Sequence, residues 1–127
     1  MSSVVGFEAV KFIQFARWID SGEVVAPSAN TELVRYVVGM NRLGYFYGFF
    51  VMATEPNTFK INWLSNGVAY SLRIPLPNAG VVHFADPIAM NLGRPADSLS
   101  AITVTNLSAG SPGSVYQVRL LVAEAIG

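Results

Sequence analysis

Residues 58–74 read TFKINWLSNGVAYSLRI, and this stretch decides the fold class. Apolar residues occupy every second position on both sides of Asn66-Gly67. A period of two is typical of a strand that buries one face. Asn-Gly favours a type I′ turn, whose twist matches that of two paired strands. The stretch therefore predicts a β-hairpin.

Further strands are predicted on both sides of this hairpin. They are rich in β-branched and aromatic residues, are separated by turn-forming residues, and cover residues 32–39, 45–53, 81–85, 98–106 and 115–122. Pro75 and Pro77 lack backbone donors, so we expect the second hairpin strand to stop before them. The last two strands are expected to pair. With a poorly patterned segment at residues 7–19, about eight strands result, and they predict an all-β fold, a single antiparallel β-sandwich with jelly-roll-like topology.

Two of these strands carry apolar residues on both faces. Along residues 45–53, strict alternation places Tyr45, Tyr47 and Phe49 on one face and Phe46 and Phe50 on the other. This pattern indicates a central strand whose aromatic residues are mostly core rather than a stacking platform for sugars or bases. The other strand is residues 115–122. There the alternation buries one face and leaves Leu121 on the opposite face, as a candidate interface residue.

The N-terminal part, residues 1–26, is predicted to be an extended arm or a first strand ahead of a β-sandwich domain at residues 27–127. Its apolar residues fit neither a helical nor a strand period cleanly over residues 7–19. We expect its large aromatic residues to dock on a neighbouring molecule. Together with Leu121, the candidate interface residues are Phe7, Phe12, Phe15 and Trp18.

The composition suggests a subunit that hides part of its surface. Of the 127 residues, 52% are hydrophobic and only 13% are charged, and eight basic residues balance eight acidic ones. Typical domains carry about 25% charged residues. The lysines and arginines are scattered, so no nucleic-acid partner is expected. No apolar run reaches the roughly 20 residues of a membrane-spanning helix, and no secretory signal is expected at the start.

Residues suited to catalysis or metal binding are sparse. The chain has no cysteine and one histidine, His83, which we expect to be a strand residue without a catalytic or metal-binding role. Its acidic residues occur mainly near turns and ends, and no nucleotide-binding or hydrolase motif is present. Asn106-Leu107-Ser108 is expected to be a backbone-bonded loop rather than a glycan acceptor. We therefore expect no enzyme, no cofactor and no metal.

Two segments carry a resemblance to a known group of proteins. Residues 74–88, IPLPNAGVVHFADPI, and residues 98–106, SLSAITVTN, resemble the strand-turn-strand run of small virion β-sandwich proteins of tailed phages, which include capsid decoration or cement proteins. The resemblance implies a homo-oligomer, with a trimer favoured, on a capsid shell in the virion. It also implies that the N-terminal arm reaches neighbouring subunits.

Two functional hypotheses follow. The first is a structural interaction protein, a capsid decoration or minor capsid protein or another virion assembly component that acts through oligomerisation. The alternative is a carbohydrate-binding, lectin-like module, in which Trp18 or Tyr45 contacts the sugar. A hydrolase would need a pair of acidic residues that the sequence does not display.

Overall fold

A computed structural model describes residues 17–84 and 94–126. The strands in these ranges are β1 Arg17–Asp20, β2 Val24–Val25, β3 Glu32–Val37, β4 Arg42–Ala53, β5 Asn57–Ser65, β6 Val68–Leu76, β7 Gly80–Phe84, β8 Ala101–Asn106 and β9 Val115–Ile126. The described residues contain no helix, and hence none that could cross a membrane. The predicted all-β class is confirmed.

The strands form two antiparallel sheets. Sheet A has the order β1-β9-β4-β7, with β2 also paired to β9, and sheet B has the order β3-β8-β5-β6. The pairs are nested around the β5–β6 hairpin, because β4 pairs with β7, β3 with β8, and β1 and β2 with β9. This nesting rolls one long hairpin into two facing sheets, which is a jelly-roll topology. The predicted β-sandwich is confirmed.

The core lies between the two sheets. Its largest fully buried side chains include Phe46 and Phe49 from β4, Phe59 from β5 and Tyr116 from β9. The rings pack edge to face, with centroids 5.1 Å apart for Phe46 and Trp63 and 5.9 Å apart for Phe59 and Tyr116. Each such side chain stabilises the fold by about 1.5–3 kcal/mol relative to an exposed one.

The predicted hairpin turn is confirmed. Asn66 and Gly67 have φ values of 51° and 75°, the positive angles that a type I′ turn requires. The turn has an anchor that the sequence pattern does not reveal. The backbone N–H groups of Asn66 and Gly67 each donate to a carboxylate oxygen of Asp97 at 2.8 Å. This anchor ties the tip of the hairpin to the segment that precedes β8.

The predicted end of the second hairpin strand is wrong. Strand β6 continues to Leu76, and Pro75 pairs with Thr58. The reason is that β6 is an edge strand of sheet B. An edge strand accepts proline at positions whose missing N–H would face away from the neighbouring strand.

The predicted pairing of the last two strands is also wrong. Strand β8 lies between β3 and β5 in sheet B, whereas β9 lies in sheet A. The connection between them is held at Asn106, whose side-chain nitrogen donates to the carbonyl oxygens of Ser28 and Ser108, both at 2.9 Å. Asn106 is fully buried and its side chain bonds backbone groups, as expected. The sequence Asn106-Leu107-Ser108 therefore does not present a glycan acceptor.

The predicted face assignment along β4 is wrong because β4 contains a β-bulge. Phe46 lies opposite Val122 and Gly48 lies opposite Leu121, so Tyr47 is the extra residue. The bulge shifts the alternation by one position. As a result, Phe46 and Phe49 both point into the core instead of lying on opposite faces.

The N-terminal part of the chain enters the sandwich from Arg17 onward. Strand β1 runs antiparallel to β9, and Ile19 and Val24 pack partly buried against the core. Of the two alternatives predicted for residues 1–26, an arm or a first strand, the structure shows strands at residues 17–20 and 24–25. Residues 1–16 lie outside the described residues.

Candidate functional site

The outer face of sheet A is defined by the residues that alternate with the buried ones. Tyr116, Val118, Leu120 and Val122 of β9 are buried, so Leu121 and Arg119 point outward. Their neighbours across the strands share that face. Its apolar and aromatic members are Trp18 of β1, Leu43, Tyr45, Phe50 and Met52 of β4, Val81 of β7 and Leu121 of β9.

Two of the predicted interface residues lie side by side on this face. Trp18 is directly opposite Leu121 in the β1–β9 ladder, and Trp18 remains 49% exposed. Side chains directly opposite each other on antiparallel strands have Cβ atoms about 5 Å apart, so the two form one continuous apolar surface. The other predicted interface residues, Phe7, Phe12 and Phe15, lie outside the described residues.

The charged groups on the outer face of sheet A are paired with one another. Arg119 donates from Nε to Asp20 Oδ2 at 2.8 Å, and its guanidinium lies 5.7 Å from the ring centre of Phe50. Hydrogen bonds from the Gly22 N–H and the Gln117 amide, together with Arg119, hold the pKa of Asp20 below its usual range. A charge that is already paired costs less to remove from water than an isolated one.

The tyrosines near the β4 bulge keep this part of the face uncharged. Burial raises the pKa of Tyr47 to about 12, and the neighbouring Tyr45 contributes to the shift. The Tyr47 hydroxyl therefore stays protonated at neutral pH. The bulge brings Phe50 to the same face as Tyr45, whereas strict alternation would have placed these two residues on opposite faces.

The outer face of sheet B has a different character. Most of its members are polar, namely Glu32 and Arg35 of β3, Thr58, Lys60 and Asn62 of β5, Ser71 and Arg73 of β6, and Thr103 and Thr105 of β8, and its exposed apolar members include Val37 of β3 and Leu64 of β5. The Asn62 side-chain nitrogen lies 3.3 Å from Thr103 Oγ1 and 3.2 Å from Thr105 Oγ1. This face has the polar chemistry of an ordinary water-facing sheet.

A buried acidic residue, Glu124 of β9, was missed by sequence reasoning. It is 5% exposed and accepts hydrogen bonds from the Gly39 N–H and from Arg42 Nη1, the latter at 3.1 Å. Burial raises the pKa of Glu124, but hydrogen bonds from Gly39, Arg42 and Tyr36 outweigh burial and hold the pKa below its usual range. The cluster fastens the β3–β4 connection to β9. Its only trace in the sequence is one acid inside an apolar run.

A second hydrogen-bond cluster closes the opposite end of the sandwich. The Tyr116 hydroxyl donates to Glu55 Oε2 at 2.6 Å and accepts from the Asn57 side-chain nitrogen at 2.7 Å. Glu55 also accepts from the Ser111 N–H at 3.1 Å. These bonds hold the β4–β5 and β8–β9 connections together, which is a structural task.

Neither cluster is a group of metal ligands. Within residues 17–84 and 94–126, no three His, Cys, Asp or Glu side chains come together as metal ligands. His83 is exposed on the outer face of sheet A, and its ring lies edge-on to Phe50 with centroids 6.5 Å apart. The distinctive feature of the described residues is therefore a surface, the outer face of sheet A.

Comparison with known proteins gives distant structural similarities alone. No family model matches the sequence, and no curated protein matches it. AlgX from Pseudomonas aeruginosa is 15% identical with a TM-score of 0.44, and the match covers 84% of this chain and 26% of AlgX. The vertex protein of phage PRD1 is 10% identical with a TM-score of 0.41, covering 87% of this chain and 96% of that protein.

Two more distant similarities concern a plant virus and a xylanase. The tobacco streak virus coat protein, solved as a dimer, is 10% identical with a TM-score of 0.36, covering 88% of this chain and 87% of the coat protein. Modules of xylanase 10B from Clostridium thermocellum, complexed with xylohexaose, are 11% identical with a TM-score of 0.37, covering 87% of this chain and 25% of that one. The architecture described above rests on strand pairing and not on these similarities.

Proposed function

We propose that this chain is a structural interaction protein that forms homo-oligomers, and that it serves as a virion assembly component such as a capsid decoration or minor capsid protein. The observation that carries the proposal is the apolar outer face of sheet A, centred on Trp18 and Leu121. The occupant we propose for this face is a second copy of the chain.

The size of the outer face of sheet A is sufficient for a homo-oligomeric contact. Strands β4 and β9 pair over 11 residue pairs. Strand β7 adds five residues and β1 and β2 add six, so at about 3.3 Å per residue and about 4.8 Å between strands the face measures on the order of 500 Å². Two such faces would bury about 1,000 Å², which is the least area expected of a specific interface.

The chemistry of the face also fits burial against a copy. Aromatic and large apolar residues predominate on the outer face of sheet A, whereas on the outer face of sheet B Val37 and Leu64 lie among mostly polar residues. The Asp20–Arg119 ion pair satisfies its own charges, so docking leaves no unpaired ion. Aromatic residues and arginine are also the types enriched in interfaces.

The number of subunits depends on which surface the outer face of sheet A contacts in the neighbouring copy. A face that meets its own copy produces a two-fold dimer, whereas a trimer needs two different patches on each subunit. The resemblance to phage decoration proteins favours a trimer. In a trimer, the outer face of sheet A would meet a different patch of the neighbouring subunit.

Sedimentation velocity of the full chain tests the self-association. We expect the wild type to associate in a concentration-dependent way and Leu121→Asp to weaken the association at least tenfold. Leu64→Asp is the matched control, because Leu64 is an exposed leucine on the outer face of sheet B. Trp18→Ser provides a second variant in case Leu121→Asp does not fold. A wild type that stays monomeric, or equal effects at Leu121 and Leu64, would overturn the proposal.

Detection of the chain in purified virus particles tests the virion assignment separately. Mass spectrometry of washed particles should find the protein in a fixed ratio to the shell protein. Its absence from particles, together with preserved self-association, would overturn the virion role and leave the oligomer.

A carbohydrate-binding module remains a second candidate, because Trp18 and Tyr45 share the outer face of sheet A. A glycan array separates the candidates. Sugar binding that is lost in Trp18→Ala, while the mass of the oligomer in solution stays the same, would favour the second candidate.

A further inference from the structure

Two basic residues face each other on the outer face of sheet B. Lys60 of β5 is directly opposite Arg73 of β6 in the hairpin ladder. Like charges at directly opposite positions destabilise an antiparallel pair of strands. The hairpin therefore holds two positive charges side by side, where an anion would relieve their repulsion.

These two residues differ from the other described basic residues. Arg35, Arg42 and Arg119 each form an ion pair with an acidic residue, and the guanidinium groups of Arg17 and Arg94 lie over tyrosine rings. Within residues 17–84 and 94–126, Lys60 and Arg73 have no acidic partner within 4 Å. The positive charge at this spot is thus available to a ligand.

A depression next to Lys60 supplies a second, independent observation. It has a volume of about 270 Å³ and is lined by side chains that include Lys60, Asn62, Leu64, Ala69, Ser71 and Ala101. Small-molecule sites typically have volumes from about 300 Å³ upward, so this depression suits a small ring.

The polar groups in the depression are suited to hydroxyl groups. The Asn62 side-chain nitrogen is directed to the hydroxyls of Thr103 and Thr105, which leaves Asn62 Oδ1 as an acceptor. Ser71 adds a hydroxyl that both donates and accepts. A ligand that matches these groups carries hydroxyls and, toward Lys60 and Arg73, a negative charge.

We propose that this depression binds a sugar acid, a pyranose ring that carries a carboxylate. The carboxylate lies between Lys60 and Arg73, whose guanidinium fork matches the two carboxylate oxygens. The ring hydroxyls bond Asn62 Oδ1 and the Ser71 hydroxyl. This site is on the sheet opposite the self-association face, so it goes beyond the proposed function and does not depend on it.

Titration of the ¹⁵N-labelled full chain with glucuronate, followed by NMR, tests the site. We expect saturable shifts of the amide signals of residues 60–62 and 71–73, with weak, millimolar affinity. Glucose controls for the hydroxyls alone and inorganic phosphate for the charge alone, and both should bind at least tenfold more weakly. No shifts with glucuronate, or equal shifts with either control, would overturn the sugar-acid assignment.

Matched variants test whether the ligand binds at Lys60 and Arg73 on the outer face of sheet B. Arg73→Gln and Lys60→Gln should each weaken glucuronate binding at least tenfold. Arg35→Gln is the control, because Arg35 lies on the same face but is paired with Glu32 at 2.8 Å. Equal losses in all three variants would show non-specific attraction and overturn the site. A monomeric chain that binds glucuronate as expected would overturn the proposed oligomer and leave this site intact.

Discussion

The outer faces of sheets A and B differ in the types of residue they carry, although both belong to sheets that pack on the same core. Both sheets bury one face in the common core, and neither needs an apolar residue on its other face to fold. On sheet B, threonine, asparagine, serine and charged side chains predominate beside the exposed Val37 and Leu64, whereas on sheet A aromatic and large apolar side chains predominate. The comparison supports the proposal that the apolar residues on sheet A serve contact with another molecule.

Neighbouring phenylalanines on β4 give the sharpest test of this comparison. Phe49 is fully buried in the core and Phe50 is partly exposed on the outer face of sheet A. We expect Phe49→Ala to lower the free energy of unfolding by about 3–5 kcal/mol, because it leaves a cavity. Phe50→Ala should lower it far less in the monomer. Urea unfolding at a concentration below self-association measures both, and equal losses would mean that the outer face belongs to the folding core.

Two acidic residues that pair with arginine, the buried Glu124 and the exposed Asp20, allow the same comparison for charged groups. Glu124→Gln should destabilise the fold by about 1–3 kcal/mol at pH 7, because a buried bond to a charged group is lost. Asp20→Asn breaks an exposed ion pair on the outer face of sheet A, and its effect should stay within about 1 kcal/mol.

The pH dependence distinguishes the two kinds of acid further. Because the pKa of Glu124 is lower in the folded chain than its usual value, its stabilising contribution is complete above the ordinary carboxyl pKa of about 4.3. That contribution disappears as the pH falls through the folded-state value. The difference between wild type and Glu124→Gln should therefore shrink from pH 7 to pH 3. A constant difference would show that the charge of Glu124 does not contribute.

The smallest expected effect concerns the charges of sheet B. Without any ligand, Arg73→Gln should stabilise the chain by about 0.2–1 kcal/mol, because it removes the repulsion from Lys60. On sheet A, Arg119→Gln should have the opposite sign, since Arg119 is paired with Asp20. Thermal melts at low salt measure both changes. A loss of stability in Arg73→Gln would mean that this arginine has a structural partner.

Local pattern was enough to predict individual strands. The alternation around Asn66-Gly67 gave the hairpin and its turn, and the apolar run from Tyr45 gave a central strand. These features depend on residues close together in sequence, for which period and turn chemistry are sufficient. Leu121 was placed on the correct outer face for the same reason.

Features that depend on distant residues were not predictable in this way. The separation of β8 and β9 into different sheets follows from nested pairing, which local pattern does not encode. The partners of Glu124 come from the start of β4 and from the β3–β4 connection, 82 and 85 positions away. The candidate sugar-acid site needs the β5–β6 register, which places Lys60 opposite Arg73, and the neighbouring β8, which directs the Asn62 amide.

The bulge at Tyr47 changes which positions of β4 point into the core. Before it, even-numbered residues such as Phe46 point into the core, and after it odd-numbered residues such as Phe49 do. A deletion of Tyr47 would remove the bulge and leave Phe46 and Phe49 pointing into the core in strict alternation, whereas a deletion of Phe50 would move the residues on one side of it to the opposite face. The faces of the strand are therefore preserved when the bulge residue is lost but not when a paired residue is lost. Substitutions can change the outer face of β4 one residue at a time, while the positions that point into the core stay the same on each side of the bulge.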